Sequence, residues 1–413
     1  MCRVEEPLQD TGHVGEGRDA FSRQREVTWF ARSAGQKTGR QLSSPSIVKR
    51  PSPEQQVRFF TNLQLLLSEG EFVSTYKYAL LLALMRWAIE NPGYDEAVPL
   101  DVVALAPHFV QLYWPHIRPF EMEGALRSVA ESRPAYGSSP DDLWRGVLVQ
   151  DRGRQLPRVL KLIMEEHQRG CGRFDDVPEP RRSRLLTEVR NSIKTMPLWK
   201  LQTIGGAPDL RFLYHRGDGD QRICFEPGIV VCLAGFAPLI EHVVRSAWLR
   251  FVLRCNSRLL GSASQVEDFL FPGSRASLGV WLAVVEDVQG DQCFYCAGQL
   301  KGDVEVDHFL PWTRYPRDLG HNFVLAHAGC NLRKKDHLAS CEHLESWCSR
   351  NEQHGERMAE RFAERGLPHD WPTLRRVACS LYNVAANANA SVWRAGSELV
   401  PLDADWRRIL GCA

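Results

Sequence analysis

Apolar residues recur at helical spacing soon after the start of the patterned chain, at Val57, Phe60, Leu63, Leu66 and Leu67. Ser52 before Pro53, with Gln55 three residues on, is an N-terminal capping box, and Gly70 is the stop. A second run over 74–90 is apolar nearly all round and ends at Asn91-Pro92-Gly93, which predicts a buried central helix. The pattern stays mainly helical over 100–201. Two short strands, 210–215 and 222–225, flank Gly217-Asp218-Gly219-Asp220 and predict a hairpin. That turn lacks the spaced ligands and distal Glu of a calcium loop. A long amphipathic helix is predicted over about 238–260, then a boundary at Phe271-Pro272-Gly273. Beyond 342, two further helices are predicted over 342–365 and 374–393. There is no internal repeat. The expected fold class is α+β.

Composition narrows the class. The chain has 413 residues, which points to two or three domains, and its 44% apolar and 24% charged content is that of a globular protein. Lys+Arg number 51 against 50 Asp+Glu, so a nucleic-acid partner requires locally clustered basic residues. Such a cluster exists over 145–200, with 13 Lys+Arg against 7 Asp+Glu, densest at Arg181, Arg182 and Arg184. A solvated helix face is the commoner reason for such a run, and a phosphate-contacting surface is the alternative. Residues 1–50 lack sustained periodicity and are expected to be mostly disordered. They show no apolar signal core. The most apolar run, 78–89, contains Arg86 and is too short for a bilayer. A cytoplasmic protein with no membrane association is expected. In that compartment paired cysteines mark metal more often than disulfides.

Of the 12 cysteines, three carry a pattern. Cys293-Phe-Tyr-Cys296 and His327-Ala-Gly-Cys330 are two pairs with two-residue spacers. Each forms a tight knuckle that presents two donors to one tetrahedral ion, so Cys293, Cys296, His327 and Cys330 are assigned to a structural zinc site. Such a closed site leaves no position for substrate. Were His327 a ligand of another metal, Cys341 is the substitute. His321, His337 and His343 are expected to face solvent.

Between and after these pairs lie Val306-Asp307-His308-Phe309-Leu310-Pro311, His321-Asn322-Phe323-Val324-Leu325 and Cys330-Asn331. Here the sequence resembles the HNH endonuclease family, in its zinc-bearing branch, and standalone bacterial restriction- or defence-type HNH proteins. The resemblance covers about 50 of 413 residues. The family often carries His where this chain has Asn331, and the Asn form also occurs in it. The resemblance implies a small ββα-metal nuclease with flanking helices. His308 is implied as the general base and Asp307 and Asn331 as oxygen ligands of catalytic Mg2+ or Mn2+. Asn322 is implied at the catalytic site, pinning the loop by hydrogen bonds. These roles suit an imidazole near neutrality and hard oxygen donors. Arg314, Arg317, Arg333, Lys334 and Lys335 are expected to contact phosphate.

The expected organisation is therefore a disordered 1–50, a helical recognition or regulatory region over 51–272, a nuclease over 273–345 and helices over 346–413 packing on it. DNA is the expected partner and RNA or a branched structure the alternative. A homodimer or an operon-encoded protein partner fits the same pattern. A non-catalytic zinc-stabilised binding module is the rival class, and it does not require Asp307, His308 and Asn331 together.

Overall fold

Ser52 caps the first helix, α1 (Pro53–Glu69), through the reciprocal bonds of the box: Gln55 N–H donates to Ser52 Oγ, and Ser52 N–H donates to Gln55 Oε1 at 2.8 Å. The helix buries Phe59, Leu63 and Leu66. The next, α2 (Tyr76–Glu90), is buried along almost its whole length. It packs against α3 (Ala106–Tyr113), α6 (Ile229–Gly235), α7 (Ala237–Cys255) and, from the far end of the chain, α12 (Trp371–Asn387). An all-apolar helix needs partners on every side, and these four supply them.

This computed structural model describes residues 51–120, 147–204, 210–219, 221–256, 263–272, 278–302 and 304–412. The expected disorder of 1–50 lies outside them, as does Gly273 of the expected boundary. Helices and small antiparallel sheets are mixed, an α+β arrangement. The front part adds α4 (Arg158–Gln168), α5 (Arg181–Thr195) and α8 (Ala263–Leu270). The expected hairpin is present as β2 (Tyr214–Arg216) and β3 (Arg222–Phe225), and β1 (Leu100–Asp101) pairs with the other edge of β3.

The back part begins with α9 (Gly279–Gln289). Strands β4 (Val304–His308) and β5 (Phe323–His327) pair antiparallel, with His308 opposite Phe323 and Val304 opposite His327. A short helix, α10 (Ala328–Lys334), follows β5 directly. The two faces of β5 enter different cores. Phe323 and Leu325 pack with Trp281, Val285, Met358 and Phe362. Val324 and Ala326 join the main cluster that runs through α2. A strand buried on both faces reads as a continuous apolar run.

After α11 (Cys341–Glu364) and α12 the chain departs from expectation. The helix predicted to reach 393 ends at Asn387, and a hairpin follows, β6 (Ser391–Ala395) and β7 (Glu398–Pro401), turning at Gly396 with φ +53°. Trp393 is therefore a strand residue. It exchanges backbone bonds with Leu338 and Ser340, fastening the chain just after α10. A last short helix, α13 (Trp406–Leu410), leads to Cys412, which is disulfide-bonded to Cys379 of α12. Among the described residues, that bond is the one disulfide, against the expectation that paired cysteines here hold metal. Among the described residues, no single helix is long and apolar enough to cross a membrane.

Candidate functional site

The knuckle at 293–298 is built by backbone bonds: Ala297 N–H donates to Cys293 O, and Cys293 N–H to Gly298 O at 2.8 Å. A Cβ on Gly298 would lie 3.4 Å from both Cys296 Sγ and His327 Cε1, so position 298 lies directly against two of the donors. The donor atoms of Cys293, Cys296, His327 and Cys330 all lie within 4.8 Å of one another. Four donors about 2.3 Å from a zinc ion are separated by roughly 3.8 Å, so the cluster has the size the ion requires. His327 Nε2 meets Gln299 O at 3.2 Å, which turns Nδ1 toward Cys296 Sγ, 3.3 Å away. Burial works to raise the Cys293 thiol, but backbone N–H groups of His327, Cys296 and Tyr295 outweigh it and lower its pKa. Burial pushes Cys330 up to about 12. Among the described residues this is the one group of three or more His, Cys, Asp or Glu that can hold a metal ion. Cys341 is not part of it; its Sγ meets Asp403 O instead.

The cluster ties the knuckle to the end of β5 and the first turn of α10, and so braces the strand pair. Successive strand residues face opposite sides. Asp307 accordingly faces α10, where its Oδ2 accepts from Tyr295 Oη at 2.5 Å and lies 3.0 Å from Lys334 Nζ. His308, the last residue of β4, faces the other way. Its Nε2 lies 2.7 Å from Asp318 Oδ1, and its ring packs on Phe323 and Trp312. A carboxylate partner makes Nε2 the protonated nitrogen. His308 Nδ1 then keeps its lone pair, and no partner holds it among the described residues.

Asn322 is fully buried and bonds both ends of its amide to one residue: Leu310 N–H donates to Oδ1 at 2.8 Å, and Nδ2 donates to Leu310 O at 2.9 Å. These two bonds pin the turn beyond His308. Asn331 Nδ2 donates to Glu305 Oε2 at 2.8 Å, which brings a second β4 carboxylate beside the amide.

Several expectations need correction. Lys334 does not face a phosphate: it is 0% exposed and donates to His308 O at 2.8 Å besides pairing with Asp307. A buried ammonium there neutralises a buried carboxylate. Arg317 turns inward to Glu90 Oε1 at 2.9 Å, and Arg314 is half-buried with Nε on Asp336 O at 3.0 Å. Only Arg333 and Lys335 of that group are exposed. His321 is buried rather than solvent-facing; its Nε2 meets Gly355 O, and burial lowers its pKa to about 4. His337 is half-buried, as is His343, which stacks on Trp393. In the basic run over 145–200, Arg181 pairs with Glu166, and Arg182 donates to Val177 O and lies over Phe174, while Arg184 is exposed.

Several residues that position the site carried no sequence signal. Asp318 lies in an aperiodic loop, and Tyr295 reads as filler inside the knuckle. Glu90, the last residue of α2, accepts from Tyr315 Oη at 2.8 Å and from Arg317, and its backbone carbonyl accepts from Arg376 of α12. Burial opposes its ionisation, but His108 and Arg317 with these bonds hold its carboxyl below the usual range. Arg350, Asn351 and Trp347 of α11 all donate to His321 O, fixing the entry to β5.

No protein-family model, curated protein or solved structure matches this chain.

Proposed function

We propose that the protein is a metal-dependent HNH-type endonuclease that hydrolyses phosphodiester bonds, with DNA as its substrate, and that the β4–β5–α10 unit is its ββα nuclease element. The observation that carries this reading is the His308–Asp318 pair at the end of β4, with His308 Nδ1 unengaged by any described residue. A carboxylate that holds one imidazole nitrogen as a donor leaves the other to accept a proton from water. The water oxygen then forms a bond to phosphorus as the bond to the leaving oxygen breaks, and that oxygen takes a proton from solvent.

Oxygen donors on Asp307 and Asn331 suit Mg2+ or Mn2+, with Glu305 beside Asn331 as a further carboxylate. When bound, such an ion supplies charge that stabilises the phosphate and its leaving oxygen. Asp307 and His308 project from opposite faces of β4, so a phosphate reached by both lies past the end of the strand. Arg333, in α10, and Lys335, just past its end, supply exposed positive charge near the unit. The Cys3His cluster, with no open position, acts as the structural zinc that holds the unit together. Restriction or anti-phage defence is the proposed setting, and it rests on the family resemblance alone.

The test is a substrate panel. Zinc-loaded protein with Mg2+ or Mn2+ is offered supercoiled plasmid, single-stranded DNA, branched DNA and structured RNA. Cutting of a DNA substrate that stops when the divalent ion is withheld supports the reading. Cutting of RNA alone reassigns the substrate, and no cutting of any member refutes the nuclease.

A further inference from the structure

A turn at 151–154 lies just ahead of α2. Arg152 N–H donates to Val73 O at 2.8 Å, which fixes it there. Inside the turn Asp151 Oδ1 accepts from Gly153 N–H at 2.8 Å, and Arg154 N–H donates to Asp151 O at 3.0 Å. The end of α7 closes on this turn. Arg152, Arg154 and Arg254, with Asp151, Phe251 and Cys255, line a pocket of about 350 Å³.

Arg152, Arg154, Arg250 and Arg254 are all exposed. Their charges converge. Those of Arg152, Arg250 and Arg254 act on Tyr78, and those of Arg152, Arg154 and Arg254 act on Cys255. The carboxylate beside them is Asp151. Arg250 and Arg254 stand four residues apart on α7, a spacing at which like charges disfavour the helix. Among the described residues neither these two nor Arg152 forms an ion pair, whereas Arg158, Arg169 and Arg245 each do. Arg152 instead lies 5.9 Å over the Phe251 ring, which steadies its guanidinium. Four guanidinium groups around one carboxylate leave an excess of positive charge facing solvent.

The walls narrow the ligand. Phe251 is 1% exposed, so the pocket offers no open aromatic face to a base. No amide or hydroxyl side chain lines it to read a base edge. Guanidinium groups bind phosphate oxygens in pairs. Contact with phosphate alone fixes a strand without reading its sequence. We infer that Arg152, Arg154 and Arg254, with Arg250 nearby, seat the phosphates of a DNA strand away from the reaction centre. The choice of DNA rests on the nuclease reading, but the seat is tested without cutting. Glu90, at the far end of α2, holds Tyr315 and Arg317 of the loop that carries Asp318. The 15 residues of α2 put about 22 Å between its ends. A strand that touches both places spans at least roughly six base pairs, at ~3.4 Å each.

The test titrates full-length, zinc-loaded protein, with no added magnesium or manganese, into a fluorescein-labelled 24-base-pair duplex that can reach both places. Anisotropy is read from 50 to 300 mM KCl. Each phosphate contact contributes about 0.9 to the slope of log affinity against log salt. Arg152→Gln with Arg254→Gln is expected to lower that slope by about 1.8 and to weaken binding at least tenfold at 150 mM. Arg152→Lys with Arg254→Lys keeps both charges and is expected to keep the slope. Arg158→Gln with Arg169→Gln removes the same charge elsewhere and is expected to bind like the parent. All four of these arginines are exposed, so zinc content and melting temperature are expected to hold. The seat is overturned if the parent does not bind the duplex, if the first pair leaves slope and affinity unchanged, or if the control pair loses as much. It is also overturned if inorganic phosphate displaces the duplex where chloride of equal ionic strength does not, which marks a site for a free anion. A tighter hold on structured RNA than on the duplex overturns DNA as its partner. Binding that depends on these arginines in a protein that cuts nothing refutes the nuclease and leaves the seat. Cutting by a protein whose DNA binding ignores them does the reverse.

Discussion

Lys334→Met removes the ammonium from the buried side of the strand pair while keeping the length of the side chain. The Asp307 carboxylate and Lys334 Nζ are 3.0 Å apart, with side chains 10% and 0% exposed. At an effective dielectric near 20, two unit charges at that distance attract by roughly 5.5 kcal/mol. His308 O also loses its donor at 2.8 Å, a further cost of about 1–3 kcal/mol for a buried carbonyl. Relief from desolvating the ammonium offsets part of this sum. Breaking one side of such a pair costs about 3–5 kcal/mol net. Tyr295 still donates to Asp307, which keeps the value toward the lower end.

Urea unfolding in magnesium-free buffer, with zinc retained, measures the loss as a fall in midpoint at constant slope. Asp307→Asn in the same background removes the orphaned charge. The double variant is expected to be more stable than the sum of the singles predicts, with a coupling of about 2 kcal/mol or more. A single-variant cost below about 1 kcal/mol with additive behaviour refutes the buried-pair account. That result would return Lys334 to the exposed role its sequence neighbours imply.

Cys293→Ser is expected to lower bound zinc from one equivalent per chain toward zero, with a lower melting temperature; elemental analysis showing a full equivalent contradicts the ligand assignment. His108, His116 and His321 are buried, and burial lowers each from an ordinary value of 6.5 to about 4. The folded state therefore binds fewer protons than the unfolded one between those values. Stability is fully present above pH 6.5 and is lost as pH falls toward 4, by about 3 kcal/mol per histidine. Denaturant midpoints that stay level from pH 7 to 4.5 contradict this. Asp318→Asn is expected to slow cleavage by less than the roughly 10²–10⁴-fold contribution of a general base, with zinc content and melting temperature unchanged. An unaltered rate removes Asp318 from the site.

Features that depend on regular spacing were legible in the sequence. The α2 helix announced itself by being apolar on every side, and the Cys3His cluster by two matching two-residue spacers. What stayed hidden depends on which way one side chain turns. Arg333, Lys334 and Lys335 read as one basic patch. Arg333 and Lys334 are consecutive helical residues and point about 100° apart, so Lys334 faces Asp307 while Arg333 faces out; Lys335 lies just past the helix, at φ +49°, and is exposed. Asp318 and Glu90 find His308 and Arg317 only after the loop over 311–319 has folded, across separations no periodicity records. The β6–β7 hairpin follows an Ala- and Asn-rich stretch that continues the helical pattern. The Cys379–Cys412 pairing could not be read from the spacing of 12 thiols.

In the proposed mechanism, His308 takes the proton from the attacking water. The most direct measurement is the single-turnover cleavage rate of His308→Ala beside the parent protein, on whichever substrate the parent cuts, at saturating Mg2+ or Mn2+. A rate lower by at least about 10²-fold is expected, with zinc content and folding unchanged. Equal rates for the two proteins would contradict it.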